Sequence, residues 1–196
     1  TARCSISKIY TNRDFLQELT GVTNLSGQFI FGDKALDFND AVITKYSVSV
    51  NAKEIPKISI DLQIYGDLKP TATIRKDDAS GDYAIKDLDV GAISLNMDDT
   101  NSAVTDFSYD VEFDVRPTYE IESLKSSSAK IITPIKYGCA ANLEIIEQEF
   151  ENMTGLVNTE SFNRNISFSF SDKDLSVLNS YSVPNASLSS QSISIK

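Results

Sequence analysis

Histidine and tryptophan are both absent from this chain of 196 residues. Without histidine the chain lacks the commonest general base, the commonest metal ligand and every Ser-His or Cys-His nucleophile pair. Without tryptophan it lacks the strongest platform for stacking on sugars. Glycine is sparse, at eight residues, and neither GxGxxG nor a Walker loop occurs, so no phosphate cradle is expected. There are two cysteines, Cys4 and Cys139, with no CxxC pair. Zinc fingers and disulfide frameworks are thereby excluded, and the reading is two buried, reduced thiols in a reducing compartment. No apolar run is long enough to span a membrane as a helix, and the first residues, Thr1-Ala2-Arg3-Cys4, lack the apolar core of a signal peptide.

Basic residues are outnumbered, 18 against 28 acidic, giving a net charge of −10. Tight wrapping of nucleic acid needs Lys and Arg for phosphate neutralisation, so it is not expected. A surface that DNA passes without sticking is compatible with this charge, as is simple solubility. Carboxylates cluster at Asp77-Asp78, Asp87 and Asp89, Asp98-Asp99, and Asp172 and Asp174, without the twelve-residue calcium-loop pattern. They read as solvated turns. Sequons at Asn24, Asn152, Asn165 and Asn185 occur at the frequency that a Ser/Thr-rich chain produces by chance. No catalytic residue, metal ligand or cofactor is assigned, and an enzyme is not expected.

What the chain does have is alternation. Tyr46 to Val50, Ile58 to Ile64, Phe107 to Phe113, Ile166 to Phe170 and Leu188 to Ile195 place apolar residues on one side and Ser, Asp, Glu or Gln on the other. That period of two predicts half-buried antiparallel strands, and Tyr137 to Leu143 reads as a further strand. Short helices are predicted over Arg13 to Leu19, capped by Asn12 and stopped by Gly21, and over Glu144 to Asn152. Gly66 to Pro70 and Lys76 to Gly81 read as turns, and Ser123 to Lys130 as an exposed loop. The fold class is therefore all-β, an antiparallel β-sandwich with one or two short helices. It is read as one domain over residues 1–196, with a possible pseudo-repeat of halves 1–76 and 82–196.

The repeat rests on Ala41 to Val50 matched with Ala103 to Val111, where Thr44 aligns with Thr105 and Pro56 with Pro117. After Pro117 the second half carries an insertion, Thr118 to Thr133, before Pro134. A long loop in a compact domain is usually functional or disordered. Tyr119, Ile121 and Leu124 on a Ser- and Lys-rich background are expected to reach an adjacent subunit, with Lys125 and Lys130 meeting its acidic surface.

Several runs together resemble the tail tube (major tail) proteins of long-tailed bacteriophages. They are Gly27-Gln28-Phe29-Ile30-Phe31-Gly32, Tyr46 to Val50 with Ile55 to Ile60, Val104 to Phe113, Arg116-Pro117, Pro134-Ile135-Lys136, and Tyr181 to Ile195. The resemblance spans most of the chain and is one of texture, with no single diagnostic motif. After Lys196 a further turn and strand would be expected of that family. It implies a homo-oligomer: β-sandwich protomers join sheets into rings, and rings stack into a tube whose lumen conducts DNA without specific binding. The implied partners are further copies and other tail proteins (a sheath if the tail contracts, a tail tip or baseplate, a terminator). The implied location is the virion, after synthesis in the bacterial host cytoplasm. Other classes open to such a composition are a pilin-like, adhesive or capsid-decorating module and a carbohydrate-binding domain.

Overall fold

The computed structural model describes residues 2–10, 14, 24–52, 54–74, 92–97, 100–119, 126–142 and 164–187. Among these residues eleven strands run in chain order: β1 (Ala2–Ile9), β2 (Leu25–Phe31), β3 (Lys34–Asn51), β4 (Lys57–Ile64), β5 (Leu68–Thr71), β6 (Ala92–Met97), β7 (Thr100–Ala103), β8 (Asp106–Tyr119), β9 (Ser126–Asn142), β10 (Arg164–Ser171) and β11 (Val177–Ala186). No helix occurs among the described residues, so the expected all-β class holds. The predicted Arg13 to Leu19 helix (Asp14 apart), the predicted Glu144 to Asn152 helix, the Lys76 to Gly81 turn and the Leu188 to Ile195 strand lie outside the described residues.

The strands form antiparallel sheets. One has seven strands, with the order β1-β4-β3-β8-β9 and with β2 and β5 added along β3; the other has four, in the order β11-β10-β6-β7. The chain divides into two compact units, one of residues 1–49, 56–86 and 109–138, the other of residues 50–55, 87–108 and 139–196.

In the first unit the period-two pattern dictates what is buried. Ile58, Ile60, Leu62 and Ile64 of β4 all face inward, as do Tyr46 and Val48 of β3 opposite Ile60 and Ile58. Burying one such aliphatic side chain is worth about 1.5–3 kcal/mol, and this array is the principal driving force for the unit. Tyr46 also meets Tyr109 of β8 edge-on, at 6.4 Å between ring centroids. β3 is interrupted partway along. Asp40 takes a left-handed φ of 50°, and the pairing of β2 with β3 slips a register step next to it. This kink separates an N-terminal half of β3, held between β2 and β5, from a C-terminal half paired with β4. Gly66 closes the corner between β4 and β5, where any Cβ would lie 2.2 Å from the Asn39 side-chain oxygen, so only glycine fits.

In the second unit Phe168 and Phe170 of β10 pair across to Leu95 and Ile93 of β6. Phe107 of β8 stacks on Phe168 at 4.8 Å, and Tyr181 of β11 completes the aromatic cluster. Phe107, Phe168, Phe170 and Tyr181 thus form one aromatic cluster within this unit.

Two segments read as irregular are strand. Leu68 to Pro70, expected as a turn, belongs to β5, and Pro70 is tolerated because, among the described residues, β5 pairs with β3 alone. Residues 126–133, expected as loop, belong to β9. The polar composition of that run argued for a loop, but backbone pairing with β8 supplies hydrogen bonds that composition does not reveal.

Candidate functional site

The first unit presents a continuous polar sheet face. Strict register aligns Arg3, Ser5 and Ser7 of β1 with Gln63, Asp61 and Ser59 of β4. On β3, Ser47 lies opposite Ser59 and Ser49 opposite Lys57. On β8 the same side carries Asp110, Glu112 and Asp114, alternating with buried Tyr109 and Val111. The carboxylates are tied down by small neighbours. Ser5 donates to Asp61 at 2.6 Å, Ser47 donates to Asp110 at 2.7 Å, and Lys45 sits 3.3 Å from the same carboxylate. Arg116 pairs with Asp114 at 3.0 Å. The face is built of hydroxyls and pinned ion pairs. Among these residues there is no aromatic ring on which a base or sugar would stack.

The outermost strands of that sheet order are β1 and β9, each bonded to one neighbour among the described residues. β9 is 17 residues long. Such edges present rows of unpaired N–H and C=O groups that template pairing with another chain. The four-stranded sheet repeats the polar design on its own outer side. The Ser94 and Ser169 hydroxyls bond at 2.6 Å, and Ser167 and Ser182 pair across β10 and β11.

Of the residues expected to contact a neighbouring subunit, Tyr119 ends β8 and Lys130 lies within β9, so both belong to strands rather than to a loop. Ile121, Leu124 and Lys125 lie outside the described residues.

Sequence reasoning missed a buried polar cluster. Asp14 is buried, and the Tyr46 hydroxyl donates to its carboxylate. Lys8 lies on the apolar side of β1, opposite Ile58. Burial pushes its ammonium pKa down, partly offset by the Asp14 charge. The phenol of Tyr10 is pushed up, first by burial and then by the same carboxylate. A lysine in phase with Ala2, Cys4 and Ile6 was the available signal. It breaks the alternation of β1 and needs a buried acid to account for it.

Cys4 and Cys139 are free thiols and half-buried, not fully buried as expected. Burial raises the Cys139 thiol above its ordinary value, which lowers its nucleophilic fraction. Asp172 caps its own turn, accepting from the Asp174 and Ser176 N–H groups at 3.0 and 2.9 Å. Among the described residues no group of three or more His, Cys, Asp or Glu could hold a metal ion. A shallow depression of about 380 Å³ lies on the four-stranded sheet, lined by Asn96, Asn165, Ile166, Ser167, Ser182, Val183 and Pro184. None of these offers a ring for stacking. No protein-family model matches the chain, and no curated protein matches it.

Proposed function

We propose that this protein is a structural subunit that polymerises through its sheets into stacked rings, a phage tail tube whose lumen conducts DNA. The observation that carries this reading is the antiparallel sheet ending in β1 and β9, whose polar face is made of serines and pinned carboxylates. Edge strands that meet between copies close a ring and remove the aggregation hazard of an open sheet. A wall of short hydroxylic side chains with a net charge of −10 over the whole chain neither stacks bases nor attracts phosphate, which suits a conduit for a polyanion. On this reading the partners are further copies and the other tail proteins, a sheath among them if the tail contracts, and the location is the virion.

Negative-stain electron microscopy of the purified chain, alone and with a tail-tip nucleus, tests this. Rings or tubes with a central lumen are expected. Particles that remain monomeric under both conditions would remove the proposal.

A further inference from the structure

Among the described residues, the most exposed large apolar side chains gather in two places. The first is the arm formed by β2, the N-terminal half of β3 and β5. Directly opposed residues on paired strands share a face. Phe31 opposes Lys34 and Phe29 opposes Leu36, while Phe38 lies opposite Gly27 on one side and Leu68 on the other. Phe29, Phe31, Leu36, Phe38 and Leu68 therefore occupy one face. The Phe29 and Phe38 rings stack at 4.8 Å, and Gly27 leaves room for the Phe38 ring, which a Cβ there would meet at 2.6 Å. None of the five is buried, and Phe31 is 70 % exposed. The opposite face is mixed, with Gln28 donating to Asp37 at 2.7 Å beside exposed Ile30 and buried Ala35. The aromatic side is the larger apolar surface and is open among the described residues, which marks a docking surface.

The second feature is the turn between β10 and β11. Leu175 holds a φ of 62°, a conformation unfavourable for a leucine. The turn is fixed by the Asp172 cap, by Asp172 N–H donating to the Ser176 carbonyl and by Leu175 N–H donating to the Asp172 carbonyl, both at 3.0 Å. Yet Leu175 is 71 % and Val177 68 % exposed. Strain held in place by a hydrogen-bonded turn to present two aliphatic side chains to solvent points to use by a partner.

We propose that the Leu175–Val177 tip of one copy docks on the apolar arm face of a second copy. Both patches are exposed and apolar, and the flanking charges are complementary. Lys34 shares the arm face beside Phe31, Asp174 precedes Leu175, and neither forms an ion pair among the described residues. Because the two patches differ, the contact is heterologous. Each copy gives a tip and receives one, which builds rings or linear stacks. The inference rests on the assembly reading above and assigns it a second contact, independent of strand-edge pairing.

The test uses the full chain carrying Phe31→Asp or Leu175→Asp, with circular dichroism confirming the parent fold. Both sites are exposed, so folding is expected to survive. Analytical ultracentrifugation is expected to show each variant associating at least about tenfold more weakly than the parent. Mixed one to one, they retain one intact tip and one intact arm, and a complex that neither forms alone is expected. Lys34→Asp should weaken association, and the Lys34→Asp, Asp174→Lys double variant should restore it. Tubes formed equally by parent and both variants would overturn the docking and leave the tube reading standing. Parent dimers or fibres without a lumen, abolished by both variants, would support the docking and overturn the tube reading. A parent that is monomeric throughout would overturn both.

Discussion

At the residue scale the buried carboxylate of Asp14 gathers the most chemistry among the described residues. Asp14 accepts from the Tyr46 hydroxyl, and its charge acts on both Lys8 and Tyr10. A tyrosine whose native pKa stands above its unfolded value contributes stability that is whole below about pH 10 and is lost as pH rises through the native value. Lys8, pushed down, has the opposite sign over the same range, so the two must be separated by substitution. Tyr10→Phe removes the Tyr10 contribution and keeps Lys8. Urea unfolding at about pH 9 and about pH 11 should show the parent losing more stability over that interval than the Tyr10→Phe variant. Equal losses would mean that Tyr10 does not titrate with unfolding. Lys8 on the apolar side of β1 was the legible trace of this cluster; Asp14 itself stands in no alternating run, and its Tyr46 partner lies 32 residues away in the chain.

At the element scale the strands differ in how many partners they have. β4 lies between β1 and β3, with every inward side chain buried, whereas among the described residues β1 is bonded only to β4. Amides at an edge open at low free energy, and amides between two strands open with the global unfolding. Hydrogen exchange on dilute protein should therefore be slowest in residues 58–64 and faster in residues 2–9. On assembly, protection should rise most in β1 and β9. Protection in β1 that is already equal to β4 in the monomer, or unchanged on assembly, would count against edge pairing. The period-two runs announced β3, β4, β8 and β10 because each has one buried face, and a buried face enforces alternation. β5 and the first half of β9 escaped notice. Leu68-Lys69-Pro70 and Ser126 to Lys130 have strand hydrogen bonds without a strand-like composition. The kink at Asp40, which sets the arm off from the rest of β3, is likewise a register event that local sequence does not encode.

At the scale of the whole molecule, charge sets the conditions for association. Protomers of net charge −10 repel one another, and salt screens that repulsion over a Debye length that shrinks from about 30 Å at 0.01 M to about 3 Å at 1 M. Assembly should strengthen as sodium chloride rises, with sedimentation or light scattering as the readout. Apolar docking and backbone edge pairing both survive screening, while the flanking Lys34–Asp174 attraction is a smaller term that weakens. Association that collapses with salt would mean that ion pairs, not strands and apolar faces, hold the copies together.

The sequence by itself determined the class of the protein. The missing histidine withdraws imidazole as a base or metal ligand, and the alternation of Val, Ile, Tyr and Phe with Ser and Asp calls for antiparallel sheets, because a pleated strand with one buried face admits no other pattern. Only the tertiary structure decided which strands end a sheet, which carboxylates are pinned by serines, and which apolar residues go uncovered. Phe31 and Leu175 are as apolar as Phe107 and Leu62, yet the first two face solvent and the last two are core. Burial depends on what lies opposite in space, and register, kinks and turn conformations set that through hydrogen bonds between residues distant in the chain.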